Sequence, residues 1–409
     1  MNGSLLIDNR CNGVTSLIRG PPYAECMSGF ELSRRRLLAA VPMAGAATIA
    51  GCSSVPGTES ENAVVQGWYP GWKRDEYPPD AVPFSRLDEL YYANLEPDPD
   101  GTVVFPSDDD EPNMAEFRDL KREGEPAEDV RMGFAVGGWE SSQHFSDAAR
   151  TQENRERFAE TTIAMMREYD FDGFEIDWEF PTGGGLEENV EREEDTENVI
   201  ELVEECRTQL DDAMDEDDRE YRLSYSAPSQ PEHVTPLDVS ALADLVDWIN
   251  VMSYDMVDES SSETAHNAPL YGSPSTNEAV ETWADEGMSR ADMMIGHAFY
   301  GRAFDGVDPG PDDDGLGQPF EEYEATLPYD EISARIDDPS WDRYWDEDAA
   351  APYLYDPDDR NWVSATDPEY VETKTTYALD EECRGVFCWE LAYDANEELI
   401  DAMAETVDD

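Results

Sequence analysis

Residues 171–181, FDGFEIDWEFP, carry four acids, Asp172, Glu175, Asp177 and Glu179, among aromatic and apolar neighbours. An extended strand sends alternate side chains to opposite faces, so Glu175, Asp177 and Glu179 share one face while Phe174, Ile176, Trp178 and Phe180 share the other. Successive carboxylates on one face stand about 7 Å apart, near enough to couple their titrations and to raise at least one pKa. A carboxylic acid can keep its proton near neutral pH in this way. Acids make up 97 of the 409 residues, so three at alternate positions arise readily by chance. The apolar counterface, Gly173 and the closing Phe180-Pro181 give the stretch its weight.

Metal chemistry finds no support. His144, His233, His266 and His297 lack a paired spacing such as His-x-x-x-His, and each is expected to be structural. No metal and no cofactor are expected.

The acid strand needs a frame. Short apolar runs begin at Val64, Glu89, Met132, Gly173, Arg222, Trp248, Met293 and Gly385. Between them lie stretches with helical spacing, such as Phe158, Thr162, Met165, Met166 and Tyr169, or Ile200, Leu202, Val203, Cys206 and Leu210. Eight strands alternating with helices predict an α/β fold, a (β/α)8 TIM barrel, with the acids at the C-terminal end of the fourth strand. Residues 304–360, rich in Pro, Gly, Asp and Tyr, break that rhythm and read as a small insertion between strands 7 and 8. The expected division is 1–51 upstream extension and export signal, 52–63 polar tether, 64–303 first part of the barrel, 304–360 insertion, and 361–409 last part of the barrel.

The formal charge is −70, with 27 basic residues against the acids. Binding nucleic acid requires clustered Lys and Arg, and no basic window follows Arg36, so no nucleic-acid partner is expected. The acid is spread along the chain, and Lys73, Lys121 and Lys374 are its only lysines. This pattern suits molar salt, where the Debye length falls to roughly 3 Å and repulsion between carboxylates is screened.

Ser33-Arg34-Arg35-Arg36-Leu37-Leu38, followed by the apolar residues 39–50, has the order of a twin-arginine export signal. The apolar run is shorter than the roughly 20 residues that cross a bilayer. Its end, Ile49-Ala50-Gly51-Cys52, resembles a lipobox, which makes Cys52 the expected lipidation site and the outer face of the cell membrane the expected location. Met27 is a candidate start. Cys206, Cys383 and Cys388 are expected as buried small hydrophobes, a Cys383–Cys388 disulfide being the lesser alternative.

With the strands in place, the chain resembles glycoside hydrolase family 18 chitinases over about residues 64–394, in a haloarchaeal form. The family pattern Asp-x-x-Asp-x-Asp-x-Glu is met by Asp172, Glu175, Asp177 and Glu179. Residues 133–139, with Gly137, Gly138 and Trp139, resemble its third-strand Ser-x-Gly-Gly motif, Ala135 standing where Ser is usual. Asn250-Val251-Met252-Ser253-Tyr254-Asp255 resembles the sixth-strand motif, residues 296–302 with Tyr300 and Arg302 the seventh, and Trp389 the eighth-strand tryptophan. Residues 323–332, 353–355 and 362–364 are similar to the α+β insertion of deep-cleft members. Glu175 replaces the usual Asp, which leaves proton sharing with Asp177 open, and Asn94 stands where Phe is usual, expected as a minor packing change.

The resemblance implies hydrolysis of β-1,4 bonds between N-acetylglucosamine units of chitin or its oligomers, in which the substrate's acetamido oxygen attacks and an oxazolinium ion forms. It implies Glu179 as acid and base, Asp177 as the group that orients the acetamido N–H, Glu175 as its tuner and Tyr254 as a hydrogen-bond partner of the acetamido carbonyl. Trp389, Trp139 and Trp68 become sugar platforms, and Met252, Asp255, Tyr300 and Arg302 further substrate contacts. Asp172, Gly173, Gly137 and Gly138 are structural parts of the motifs. The expected partners are the sugar chain and, through the lipid anchor, the membrane; the protein is taken as a monomer. Alternatives are a sugar-binding lipoprotein without catalysis on the same barrel, and a peptidoglycan or N-glycan hydrolase of the same family.

Overall fold

Each of the eight apolar runs forms a strand: β1 Val64–Pro70, β2 Glu89–Pro97, β3 Arg131–Gly137, β4 Gly173–Asp177, β5 Arg222–Pro228, β6 Trp248–Met252, β7 Met293–Ala298 and β8 Gly385–Trp389. The structure, a computed structural model, describes residues 63–409. The expected export signal, Cys52 and nearly all of the tether lie outside the described residues. Neighbouring strands pair in parallel around the ring, and β1 pairs with both β2 and β8, which closes the barrel. Closure leaves no free edge, and side chains on both faces are removed from water, so the runs are mostly apolar and the polar residues they carry, such as Gln66, Glu175, Ser224 and Asn250, are buried.

Helices cover the outside because their apolar stripes match the outer face of the strands. Gln152–Glu168 starts where the Thr151 side chain accepts from the Asn154 N–H, and it buries Phe158, Thr162, Ile163 and Met166. Asp195–Asp217 buries Leu202, Val203, Cys206 and Leu210 against the same layer. Cys206, Cys383 and Cys388 are free and buried, as small hydrophobes would be. Among the described residues no helix is long and apolar enough to cross a membrane.

A second sheet follows β7. Its strands run in the order Glu322–Pro328, Tyr300–Asp305, Asn361–Ser364, Ala351–Asp356 and Asp342–Asp346, all antiparallel. Phe304, Tyr353, Tyr355 and Trp362 form its own small core, and helix Tyr329–Ile336 joins two of its strands. The sheet reaches beyond residues 304–360 on both sides. The segment leaving the barrel must hydrogen-bond the segment returning to it, as in the pairs Trp362 with Phe304 and Ser364 with Arg302.

Asp172, just before β4, fixes this strand to its neighbours. Its carboxylate accepts from the Met132 N–H at 2.8 Å and from Arg219 at 2.6 Å, and it pairs with Lys121. Burial works to raise its pKa, but the two cations outweigh it and hold the group below its ordinary value. Gly173 follows because a Cβ there would stand 2.5 Å from the Arg222 carbonyl oxygen on β5.

Candidate active site

β4 ends at Asp177, so Glu179 and Phe180 lie past the strand and its alternation does not carry to them. Phe180 turns to the wall of a cavity of about 670 Å³ at the C-terminal ends of the strands, on the same side as Asp177 and Glu179 rather than opposite them. Backbone contacts hold this turn. The Glu179 N–H donates to Ser142 Oγ at 2.9 Å, and Asn189 Nδ2 donates to the Glu179 carbonyl at 3.1 Å. Ser142 Oγ in turn donates to the Gly138 carbonyl at 2.9 Å.

The three acids occupy different surroundings. Glu175 is fully buried beneath the cavity; Ser224 Oγ donates to its Oε2 at 2.7 Å, Asn250 Nδ2 donates to the same oxygen, and Ser226 Oγ donates to Oε1. Both of its oxygens are engaged, and no hydrogen bond joins it to Asp177 among the described residues. Burial pushes its carboxyl up to about 8, with the charge of Asp177 adding to the rise and the three donors reducing it. Asp177 is pushed up to about 7 by burial, which Ser226 partly offsets. Its Oδ1 is buried and has no hydrogen-bond partner among the described residues. Glu179 rises well above its ordinary value through burial first and then through the charges of Asp177 and Asp255. All three pKa values rise, because burial disfavours the charged form of each group.

Tyr254, Met252, Asp255 and Arg302 stand on the cavity wall with Trp68, Trp139 and Trp389. Tyr254 is set by its neighbour Ser253, whose Oγ donates to the Gly296 carbonyl at 3.0 Å and whose own carbonyl accepts from the buried Lys374 Nζ at 3.0 Å. Asp255 accepts from Arg302 and, at 2.7 Å, from the Tyr300 hydroxyl. Tyr300 itself is buried behind Asp255 and does not line the cavity, so it supports the wall instead of forming it. Trp68 is buried too and meets Trp389 at 5.8 Å, edge to face. Trp139 is 47% exposed and turns toward Phe180.

Several members of the site were not anticipated. His233, expected to be structural, lies on the cavity wall, stacked on Phe180 at 4.4 Å, with its Nδ1 2.6 Å from Thr182 Oγ1. Trp72, 53% exposed, extends the aromatic row past Trp389 at 6.0 Å. Asn94 donates from Nδ2 to the Gly137 carbonyl, so it holds the glycine turn instead of only exchanging packing. Ser224 and Ser226 carried a readable signal, since they alternate with Leu223 and Tyr225 along β5 and so face inward. Trp72 and His233 carried none, because they sit in the single-turn helices Gly71–Lys73 and Pro231–Val234, too short to show a period.

What this arrangement can do chemically is deliver a proton from a carboxylic acid to an oxygen held between Glu179 and the indole faces, with a second carboxyl alongside. Among the described residues no group of His, Cys, Asp or Glu side chains could hold a metal ion.

The family described as "Glycosyl hydrolases family 18" matches residues 64–394. Chitinase A1 of Niallia circulans is 31% identical over 71% of this chain, which spans only 44% of that relative's length. A family 18 N-acetylglucosaminidase from Paenibacillus barengoltzii superposes with a TM-score of 0.75 at 28% identity, covering 84% of this chain and 100% of its own. The Group IV chitinase of Ostrinia furnacalis, solved in complex with allosamidin, superposes with a TM-score of 0.76 at 27% identity, covering 85% of this chain and 99% of its own.

Proposed function

The chain belongs to glycosyl hydrolase family 18, and we propose that it hydrolyses β-1,4 bonds between N-acetylglucosamine units of chitin or its oligomers. One observation carries this reading: Asp177 and Glu179 share one wall of a cavity that is also faced with indole rings. Glu179, whose pKa burial raises, gives its proton to the glycosidic oxygen as the C1–O bond breaks. The acetamido oxygen of the same sugar closes on C1. Asp177 orients the acetamido N–H and stabilises the oxazolinium ion, and Tyr254 donates to the acetamido oxygen. Water then attacks C1, Glu179 takes its proton, and the ring opens with retention. Glu175 tunes Asp177 from below, while Trp389, Trp139 and Trp68 present apolar faces to the sugars.

The test is turnover of chitin oligomers in molar salt by the chain and by its Glu179→Gln variant. Loss of the general acid should lower kcat by roughly a hundredfold or more. Equal activity of the two would remove Glu179 from the reaction. Product analysis on chitin, cell wall and glycoprotein separates the chitin reading from a peptidoglycan or N-glycan hydrolase, and product length separates endo from exo action.

We also propose export by the twin-arginine route and lipid attachment at Cys52, a reading supported by the order of residues 33–52. Incorporation of labelled lipid into the expressed chain, and its absence in Cys52→Ser, is the expected result. Equal labelling of both would sink the attachment.

A further inference from the structure

Glu175 sits between unequal neighbours. Its register partner on β3 is Ala135, whose methyl group offers no hydrogen to a carboxylate. On β5 the partner is Ser224, and Ser226 follows two residues later on the same face, opposite Asn250 of β6. All three donors therefore reach the carboxylate from one flank, and the side chain is drawn toward β5 and β6. Of the two serines only Ser226 reaches the cavity, where it lines the wall with Asp177, while Glu175 lies beneath.

Resting on the function proposed above, we propose that Ser226 is a positioning residue whose hydroxyl, bonded to Glu175 Oε1, stands between Glu175 and Asp177, keeps the two carboxyl groups apart and leaves Asp177 facing Glu179. A hydroxyl suits this place because it can donate to a carboxylate and accept from a carboxylic acid, so the spacer serves either protonation state. Ser226 also favours the ionised forms of both Glu175 and Asp177, against the burial that raises them. The other titratable groups that act on this pair are Glu179 past β4, Tyr91 on β2, Tyr225 on β5 and Tyr254 at the end of β6, and Asp255 acts on Glu179 and Tyr254. The β3 flank contributes only Ala135 at this level. With the hydroxyl removed, both carboxyl groups lose a stabiliser of their charge, and a reaction that needs ionised Asp177 loses rate first at the acid end.

The experiment compares kcat, KM and the pH profile on chitin oligomers in molar salt for Ser226→Ala, Ser226→Thr and the double variant Ala135→Ser with Ser226→Ala. Ser226→Ala is expected to lower kcat about tenfold with KM within about twofold, and to move the acid limb of kcat up by about one pH unit. Ser226→Thr, which keeps the hydroxyl, should keep the limb. The double variant should bring the limb back, because it returns a hydroxyl at the register position beside Glu175. An unmoved limb in Ser226→Ala, an equal shift in Ser226→Thr, or no return in the double variant each overturns the proposal. Should Ser226→Ala not fold, Ala135→Ser alone is expected to move the limb to lower pH by adding a donor, and an unmoved limb overturns it equally. Full activity of Glu179→Gln would sink the proposed function, whereas an inactive Glu179→Gln with an unmoved limb in Ser226→Ala sinks only this inference.

Discussion

The Gly138 N–H donates to the Asp177 carbonyl at 2.7 Å, which ties the end of β3 to the end of the acid strand. That bond needs the chain to pass close to β4 in a left-handed conformation, and two glycines provide it. Gly137 has φ +112° and a Cβ there would stand 2.1 Å from the Asp177 carbonyl oxygen; Gly138 has φ +102° and a Cβ would stand 3.4 Å from Asp177 Oδ2.

The two glycines should therefore respond differently. Gly137→Ala pushes on backbone that cannot give way, and it is expected to cost about 3 kcal/mol or more, read as a large fall in Tm or in folded yield. Gly138→Ala would meet Asp177 and Asn94 only at ordinary contact distance and is strained by its φ of +102°, so it should fold at a smaller cost of about 1–2 kcal/mol. Equal Tm values for Gly137→Ala and the parent chain would contradict this geometry.

Asp172 belongs to the same family motif as the cavity acids yet lies at the opposite end of β4, paired with Lys121 and Arg219. Asp172→Asn leaves two cations without their shared partner and should cost about 2–3 kcal/mol. At a temperature where the variant is folded, its kcat should match the parent within about twofold. A selective loss of kcat with Tm unchanged would move Asp172 into the reaction.

Glu175 makes a pH-dependent contribution with a defined sign. Its folded-state pKa is about 8 against an ordinary 4.5, so between these values the folded chain holds a proton that the unfolded chain has released. Stability from this group is therefore lost as pH rises from 4.5 toward 8 and levels off above. Glu175→Gln does not titrate, so its Tm relative to the parent should rise between pH 5 and pH 8. A difference that stays constant with pH would mean that Glu175 ionises as freely folded as unfolded.

The charge of −70 predicts a strong salt response. Thermal melts in 0.1 M and 3 M KCl should show Tm rising steeply with salt, since screening removes repulsion between exposed carboxylates that stand farther apart than a Debye length of roughly 3 Å or less. A Tm that is flat or falls with salt would show that the acidity is unrelated to the medium.

The barrel was legible because each β-run is short and rich in apolar residues and the stripes between runs repeat at helical spacing, both local properties of the chain. Glu175 and Asp177 were legible for the same reason, since strand alternation places both on one face without reference to any partner. Phe180 marks the limit of that reasoning, because β4 ends at Asp177 and the alternation does not reach it.

The sequence by itself determined which residues form strands, which acids share a face and which aromatic residues stand at strand ends, because these follow from periods of about 2 and 3.6 residues along one chain. Only the tertiary structure decided what each acid meets. Glu175 and Asp177 are two residues apart on one strand, yet Glu175 takes its donors from β5 and β6 and Asp177 leaves an oxygen without a partner. Those donors lie 49 to 75 residues away in the chain. Which of them reaches which oxygen is set by barrel register, which cannot be read from spacing within a strand.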